Sequence, residues 1–392
     1  MVLMYKKNLY IMYAIAGLQG MVFYGPIATL YRQAQGVTIF EITIIESISL
    51  ALCIVLELPW GIIADKIGYK RTIIICNTLF FISKIVFWKA SGFFGFLAER
   101  IILSVVLAGL SGVDTSILYL SCKKEESHKV FGIYNGLGTS GLLIASLIYS
   151  FFIGSNYKLS ALLTAISYGL SLLLSLFLVE VKSKQKDKIK NNNTGFLKLI
   201  VLVFKNKSLL FFLISVALLN ETHQTITVFI NQIQYVKAGI SLNTIGLVYI
   251  LVTLLGLCST FSSKVTEKIG AFKLSKICYL IAIISCISLA FTSSAVVSIA
   301  AVLLLRIVFS LFQPLQINLQ NRQVISENRA TNLSIYAVII NSVGISTNMM
   351  FGALAERNIS LSFFFGAISC LVGLIFFTIW DRVTGDKLLC VE

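Results

Sequence analysis

Twelve apolar runs of about 20 residues or more recur along this 392-residue chain, and they leave few folds open. A stretch of that length crosses roughly 30 Å of hydrocarbon as a helix, which satisfies every backbone hydrogen bond within itself where no water can. The runs predict spans at 9–31, 41–64, 72–90, 93–120, 130–153, 158–179, 208–234, 241–263, 274–293, 295–319, 330–355 and 359–380. With 57% hydrophobic and only 12% charged residues, the chain has too little polar surface to cover a water-facing globule. The expected class is therefore an all-α integral membrane protein. Lys6 and Lys7 precede the first run in the manner of a signal peptide, but that run is long enough to span and has no convincing small-residue cleavage site, so it reads as a retained first helix.

A net charge of +15 would suggest nucleic acid in a soluble protein; here the charges follow the loops instead, and no nucleic-acid partner is expected. An inside N-terminus puts 24 of the 32 Lys and Arg on the cytoplasmic side, leaves Arg32, Lys89, Lys158, Lys237 and Arg357 outside, and places Lys84, Arg100 and Arg306 within spans. Both termini are thus expected in the cytoplasm. The polar stretch 181–193 separates six spans from six, which gives a first bundle at 1–180, a basic cytoplasmic linker at 181–207, a second bundle at 208–380 and a tail at 381–392. The linker's bases could also rest on anionic head groups of the bilayer. The eight cysteines show no paired spacing and lie mostly in apolar runs, so neither a disulfide framework nor a metal site is expected.

Between the second and third spans stands Gly61-Ile-Ile-Ala-Asp65-Lys66-Ile-Gly68-Tyr-Lys70-Arg71. Sliding the chain by 202 residues lays Glu267-Lys268-Ile269-Gly270 beneath Asp65-Lys66-Ile67-Gly68, and Arg100 with Ser104 is echoed by Arg306 with Ser310 at an offset of 206. The first segment resembles the loop motif G-x-x-x-D-[RK]-x-G-[RK]-[RK]-[RK] of major facilitator superfamily transporters, with Tyr69 as the departure. The resemblance implies two pseudo-symmetric six-helix bundles (the MFS fold), with a substrate site between them near the midplane. It implies a gate as well: Asp65 against the start of the eleventh helix around Ala330-Thr331-Asn332, and Lys70 or Arg71 against Asp114, with Gly61, Lys66 and Gly68 shaping the turn.

Ionisable side chains within spans cost at least a few kcal/mol and need a partner or a task. Glu46, Glu57, Asp114 and Glu221 are the acids singled out. Glu46 and Arg100 lie at similar depth below the outer face, each roughly 8–11 Å down at 1.5 Å per residue, and are expected to pair; the resemblance links Arg100 to a fourth-helix arginine associated with proton coupling in efflux members. Glu221 and Arg306 match in depth near mid-membrane, inside the unusually polar stretch 220–234 that also holds His223 and Asn231. Such a carboxylate can take up or release a proton as its surroundings change. Glu221 is the first candidate for proton or substrate binding, and His223 reads as a wall residue. Gln19 and Tyr24 on the first helix, with Phe229 and Asn231 on the seventh, are pocket candidates. Of the other aromatic side chains Phe80, Phe81, Phe87, Trp88, Phe93, Phe94, Phe96, Phe211, Phe212, Phe363, Phe364 and Phe365, most are expected to face lipid or the interface belt. Glu57, beside Pro59, reads as structural.

Export members of the family carry G-x-x-x-G-P-x-x-G-G on helix 5. Here Gly132, Gly136 and Gly141 remain, expected to permit close helix packing, while Leu137 and Ser140 replace the proline and a glycine. The leading expectation is proton-coupled export of small organic molecules or drugs by a monomer in a bacterial cytoplasmic membrane. The alternatives are a proton symporter or facilitator for one polar metabolite and, more remotely, a receptor or scaffold without transport. An enzyme is not expected: two His residues carry no metal spacing, no G-x-x-x-x-G-K-[ST] loop is present, and no cofactor is called for.

Overall fold

The computed structural model describes residues 2–123, 126–181, 203–324 and 329–388. The central part of the expected linker lies outside them. Among the described residues twelve helices are long and apolar enough to span: α1 Lys6–Ala34, α2 Ile39–Glu57, α3 Tyr69–Lys89, α4 Gly92–Ser121, α5 Lys129–Ile153, α6 Tyr157–Ser175, α7 Lys207–Lys237, α8 Leu242–Ile269, α9 Ala271–Phe291, α10 Ala295–Arg322, α11 Asn332–Arg357 and α12 Ile359–Val383. Helix starts follow their capping chemistry. Thr38 and Glu41 form a reciprocal capping box at α2, with Thr38 N–H to Glu41 at 2.8 Å and Glu41 N–H to Thr38 at 3.2 Å. Asn156 and Asn206 each accept at 3.1 Å from the backbone N–H three residues on, opening α6 and α7.

The chain divides into two compact units, 1–187 with Ser241–Ile250, and 188–240 with Leu251–Glu392. In the first, α1 packs on α5 and α6, α2 on α4, and α3 on α4 and α6. In the second, α7 packs on α11 and α12, α8 on α10, and α9 on α10 and α12. Every neighbour in one set is the neighbour in the other shifted by six helices, so the repeat legible in sequence is a repeat of structure. It reaches single backbone angles. Gly68 (φ 92°) between α2 and α3 and Gly270 (φ 88°) between α8 and α9 both take the positive φ that L side chains avoid. Their N–H groups close onto Ala64 and Thr266 at 3.0 and 2.8 Å, and their carbonyls start the next helix. Ser104 and Ser310 likewise each donate at 2.8 Å to the carbonyl of the arginine four residues earlier.

Both α1 and α7 are interrupted at corresponding places. The first stretch of α1 ends at Gly20, a tight turn follows, and the helix resumes through Gly25–Ile27 to Ala28–Ala34, with Pro26 supplying no N–H. In α7 the regular helix ends at Gln224 and Thr225–Ile230 widens into π-type turns before Asn231–Lys237. Freed backbone groups in hydrocarbon must find partners, and for α1 one face of α6 provides them: Thr164 accepts from Phe23 N–H at 3.0 Å, Ser167 donates to the Leu18 carbonyl at 2.6 Å, and Tyr168 donates to the Gln19 carbonyl at 2.8 Å. Thr164→Val therefore orphans a buried N–H and is expected to cost about 1–3 kcal/mol in a denaturant titration of the purified protein.

The inner faces carry more aromatic bulk than the sequence suggests. Phe87, Phe96, Phe212 and Phe363 are fully buried and Phe80 nearly so, whereas Phe94 is exposed. Phe87 stacks on Tyr24 at 4.0 Å and meets Tyr31 and Phe96 at 5.0 and 5.3 Å. Phe81, Trp88, Phe93, Phe94, Phe211, Phe364 and Phe365 are partly or fully exposed, as expected of most of these rings, while the five buried ones fill space where a broken helix packs against regular ones.

Candidate functional site

In the first unit, buried charges from four helices gather around the resumed end of α1. Arg100 on α4 donates through Nη2 to Glu46 Oε2 on α2, and Arg32 stands on the other side with its Nη1 3.7 Å from Glu46 Oε1. The sequence puts Arg32 in an external loop; the helix runs on to Ala34, which turns Arg32 inward, 5% exposed, over the face of Phe87 at 5.7 Å. Beside this triad, Lys84 on α3 and Glu99 on α4 form a second pair at 3.5 Å. The Lys84 ammonium donates to the Tyr24 hydroxyl at 3.0 Å and lies 5.4–5.7 Å from the rings of Tyr168, Phe80 and Tyr24, within cation–π range. Glu99 is missing from the four acids singled out above. Lys84 and Glu99 lie within spans of one half at similar depth, the same signal that pairs Glu46 with Arg100, and that signal would have found them.

In the second unit the polar stretch of α7 is buried almost throughout: Glu221, Thr222, His223, Thr225, Thr227, Asn231, Gln232 and Gln234 all face inward. Glu221 Oε1 accepts from the Thr225 hydroxyl at 2.9 Å, and that hydroxyl stands 3.3 Å from Asn348 Oδ1 on α11. Gly344, one turn before Asn348, makes room for the carboxylate, since a Cβ there would come 3.0 Å from Glu221 Oε2. Arg306 on α10 donates from Nε to the Val252 carbonyl at 3.1 Å and occupies the space left by Gly256. His223 stacks flat on Phe309 with ring centroids 3.8 Å apart and bonds within its own helix turn to Thr227, the position of a packed wall residue. Phe229 and Asn231 are buried in and just after the widened turns.

Gln19 stands 202 residues before Glu221, so the two halves carry an amide and an acid at equivalent places on their interrupted helices. Gln19 donates to Asn77 at 2.8 Å. Irregular backbone at membrane depth is kept where it is buried in protein or lines a cavity, and both interruptions carry such polar side chains.

At the loop motif, the side chains of Gly61, Asp65, Ala330, Thr331 and His128 lie outside the described residues. Lys66 and Arg71 are exposed and Glu57 is exposed just before Pro59. The expected pairing of Lys70 or Arg71 with Asp114 is replaced by another. Gly112 (φ 79°) breaks α4 just before Asp114, whose carboxylate accepts from Thr115 N–H at 2.7 Å and from the Tyr134 hydroxyl of α5 at 3.4 Å. The motif's turn is met by Glu180 instead: its Oε1 accepts from Lys70 N–H at 3.4 Å, and its carboxylate lies where a Cβ on Gly68 would stand. A carboxylate at the first turn of α3 suits the helix dipole there.

On α5, Gly132 and Gly136 face open space, whereas Gly138 and Gly141 meet α1 so closely that a Cβ on Gly20 or Gly141 would overlap the carbonyl of Gly138 or Gly17. Close packing is present, but it rests on Gly141 and on Gly138, which the helix 5 pattern leaves unspecified. Among the described residues no group of three or more His, Cys, Asp or Glu is placed to hold a metal, and Cys53, Cys76, Cys122, Cys258, Cys278, Cys286 and Cys370 are free thiols.

Two repeated six-helix units with buried charges on interrupted helices define a multi-pass membrane transporter. The chain belongs to the Major Facilitator Superfamily, whose family model matches residues 9–348. It is 28% identical over 146 residues to an uncharacterized MFS-type transporter of Methanocaldococcus jannaschii, covering 36% of this chain and 38% of that protein. It is 25% identical over 198 residues to an uncharacterized transporter of Buchnera aphidicola subsp. Schizaphis graminum, covering 50% and 49%. The matches thus span half or less of the length of these curated relatives. Among solved structures, a point mutant of the nucleoside transporter NupG superposes with a TM-score of 0.81 at 18% identity over 95% of this chain and 100% of that one. The D-xylose-proton symporter superposes at 0.73 and 14% identity over 95% and 97%. At these identities the likeness is one of fold.

Proposed function

We propose that the protein is a proton-coupled secondary transporter that exports small organic molecules by alternating access. One observation supports this reading: the fourth-helix arginine, Arg100, holds a buried carboxylate, Glu46, in an ion pair between α2 and α4. Arg32 and Arg100 both stand beside this carboxylate, so a conformational change that carries them away together would tie proton movement to conformation. Glu221, held by Thr225, is the candidate proton or substrate site of the second half, with Arg306 at similar depth; Gln19, Tyr24, Phe229 and Asn231 line the path, and the loop from Gly61 to Arg71 acts as the cytoplasmic gate. The protein works as a monomer with both termini in the cytoplasm of a bacterium, without cofactor or enzymatic step. A lone proton crossing the membrane potential yields about 2.3 kcal/mol per 100 mV, enough to drive uphill transport.

A second reading, symport of one polar metabolite with protons, is supported by the buried hydroxyl and amide groups of α7 and by Leu137 in place of the export motif's proline. Everted vesicles with an acidic lumen distinguish the two. Under the export reading, lipophilic cations, zwitterions or small carboxylic acids added outside dissipate the pH gradient, and Glu221→Gln abolishes the response. No dissipation by any compound in wild-type vesicles, with proton-driven uptake in right-side-out vesicles, moves symport into first place.

A further inference from the structure

Arg32, Lys84, Glu46 and Glu99 are buried and balance one another, and the partly exposed Arg100 joins them, so among the described residues the cluster of three bases and two acids carries one surplus positive charge. A surplus charge in such a cluster is costly unless something compensates it. Lys84 is well served by its carboxylate, its phenol and three rings, so the surplus belongs to the arginines. Arg32 is the more exposed to this deficit: its guanidinium has one ion-pair contact, at 3.7 Å, too long for a hydrogen bond, and its buried Nε has no hydrogen-bond partner. Arg100 spends Nη2 on Glu46, while its own buried Nε also lacks a partner. Two guanidinium groups with unused N–H donors, flanking one carboxylate, thus carry a single uncompensated charge between them. The Arg100 side chain is 22% exposed and Arg32 only 6%, so Arg100 is the more accessible of the two.

We propose that Arg32 and Arg100 bind the carboxylate of a small monoanionic organic molecule, which is the transported substrate; this rests on the transporter reading above and narrows its substrate class. The Nε–H and a terminal N–H of guanidinium form a planar fork that matches a carboxylate's two oxygens, a match that chloride cannot make. One charge is what the cluster lacks, so a monoanion fits and a dianion over-compensates.

The test is binding of acetate, lactate and benzoate to the purified full-length protein in detergent, in chloride-free buffer, read as a saturable rise in unfolding temperature. Chloride and tetraphenylphosphonium are the comparison ligands, and the control variant is Lys276→Gln, which removes a base of the second unit that pairs with Asp381 at 2.6 Å. At least one carboxylate is expected to bind, and Arg32→Gln and Arg32→Lys are each expected to weaken it about tenfold or more, the lysine because it keeps the charge and loses the fork. The same carboxylate is expected to protect Arg100 of the wild-type protein from phenylglyoxal, read by peptide mass, a measurement that needs no variant to fold. Binding by chloride alone, absence of binding by any carboxylate, undiminished binding in both Arg32 variants, or unprotected Arg100 overturns the proposal. No proton gradient enters these assays, so failure of proton coupling in vesicles and failure of carboxylate binding are read separately.

Discussion

Glu46→Gln is expected to be among the most destabilising single substitutions in the first unit, lowering unfolding free energy by about 3–5 kcal/mol, because it leaves two neighbouring buried guanidinium groups with no anion between them. Arg100→Gln is expected to cost less. Glu46 then keeps Arg32 as its counter-charge, which closes the distance now standing at 3.7 Å. The combined Glu46→Gln, Arg100→Gln protein removes the pair together and is expected to be more stable than Glu46→Gln alone, so the cycle returns a coupling energy of about 1–3 kcal/mol. The measurement is an SDS or thermal unfolding titration of each purified variant. Equal and small losses in all three would mean that the pair is solvated in the folded protein and that membrane burial does not set its strength. The sign of the difference between the singles matters most, since it follows from the count of charges alone: an acid shared by two bases is worth more than either base.

The spans, their number and their division into two repeats are legible without coordinates, because hydrocarbon thickness imposes a length and backbone satisfaction imposes a helix. Most boundaries lie within a few residues of the expected ones, while the helix of α12 runs on to Leu388. What a sequence does not carry is the phase of each helix. Gly132, Gly136 and Gly141 have the spacing of a packing motif, yet only Gly141 faces α1, since which side of a helix meets a neighbour is settled by the whole bundle. Arg32 reads as external because it sits one residue beyond the last clearly apolar position, and the remaining half turn to Ala34 brings it inside. Lys84 shows the opposite case: its place within a span is plain, and its partner Glu99 stands at matching depth on the next helix without advertising itself by any motif. The resemblance assigns Asp114 to the bases of the loop motif, and the break at Gly112 gives it a different neighbour in Tyr134. Charges that depth can pair are legible, and those whose direction depends on a kink are not.

Gly20→Ala and Gly141→Ala are expected to push α1 and α5 apart, whereas Gly132→Ala and Gly136→Ala are expected to be harmless. The methyl group is identical in the four cases and only its surroundings differ. At Gly20 and Gly141 it would overlap a main-chain carbonyl of the facing helix, and a main chain held by its own helical bonds cannot swing aside as a side chain does. Overpacking of this kind costs about 1–3 kcal/mol per site. Here the cost compounds, because α1 has just broken at Gly20 and its freed groups must stay aligned with Thr164, Ser167 and Tyr168 on α6. Shifting α1 by even part of a bond length to accommodate a methyl loosens those three bonds together. Gly20→Val is therefore expected to prevent accumulation of folded protein in the membrane. At Gly132 and Gly136 nothing lies within 4 Å of the added carbon, so the helix gains about 0.4–1 kcal/mol from reduced freedom of the unfolded chain. Membrane yield and unfolding midpoint of the four alanine variants decide the matter: a loss at Gly132 and Gly136 equal to that at Gly20 and Gly141 would show that small residues on α5 are needed for something other than contact with α1. The predicted split instead ties stability, the interruption of α1 and the placement of Gln19 and Tyr24 to one helix contact.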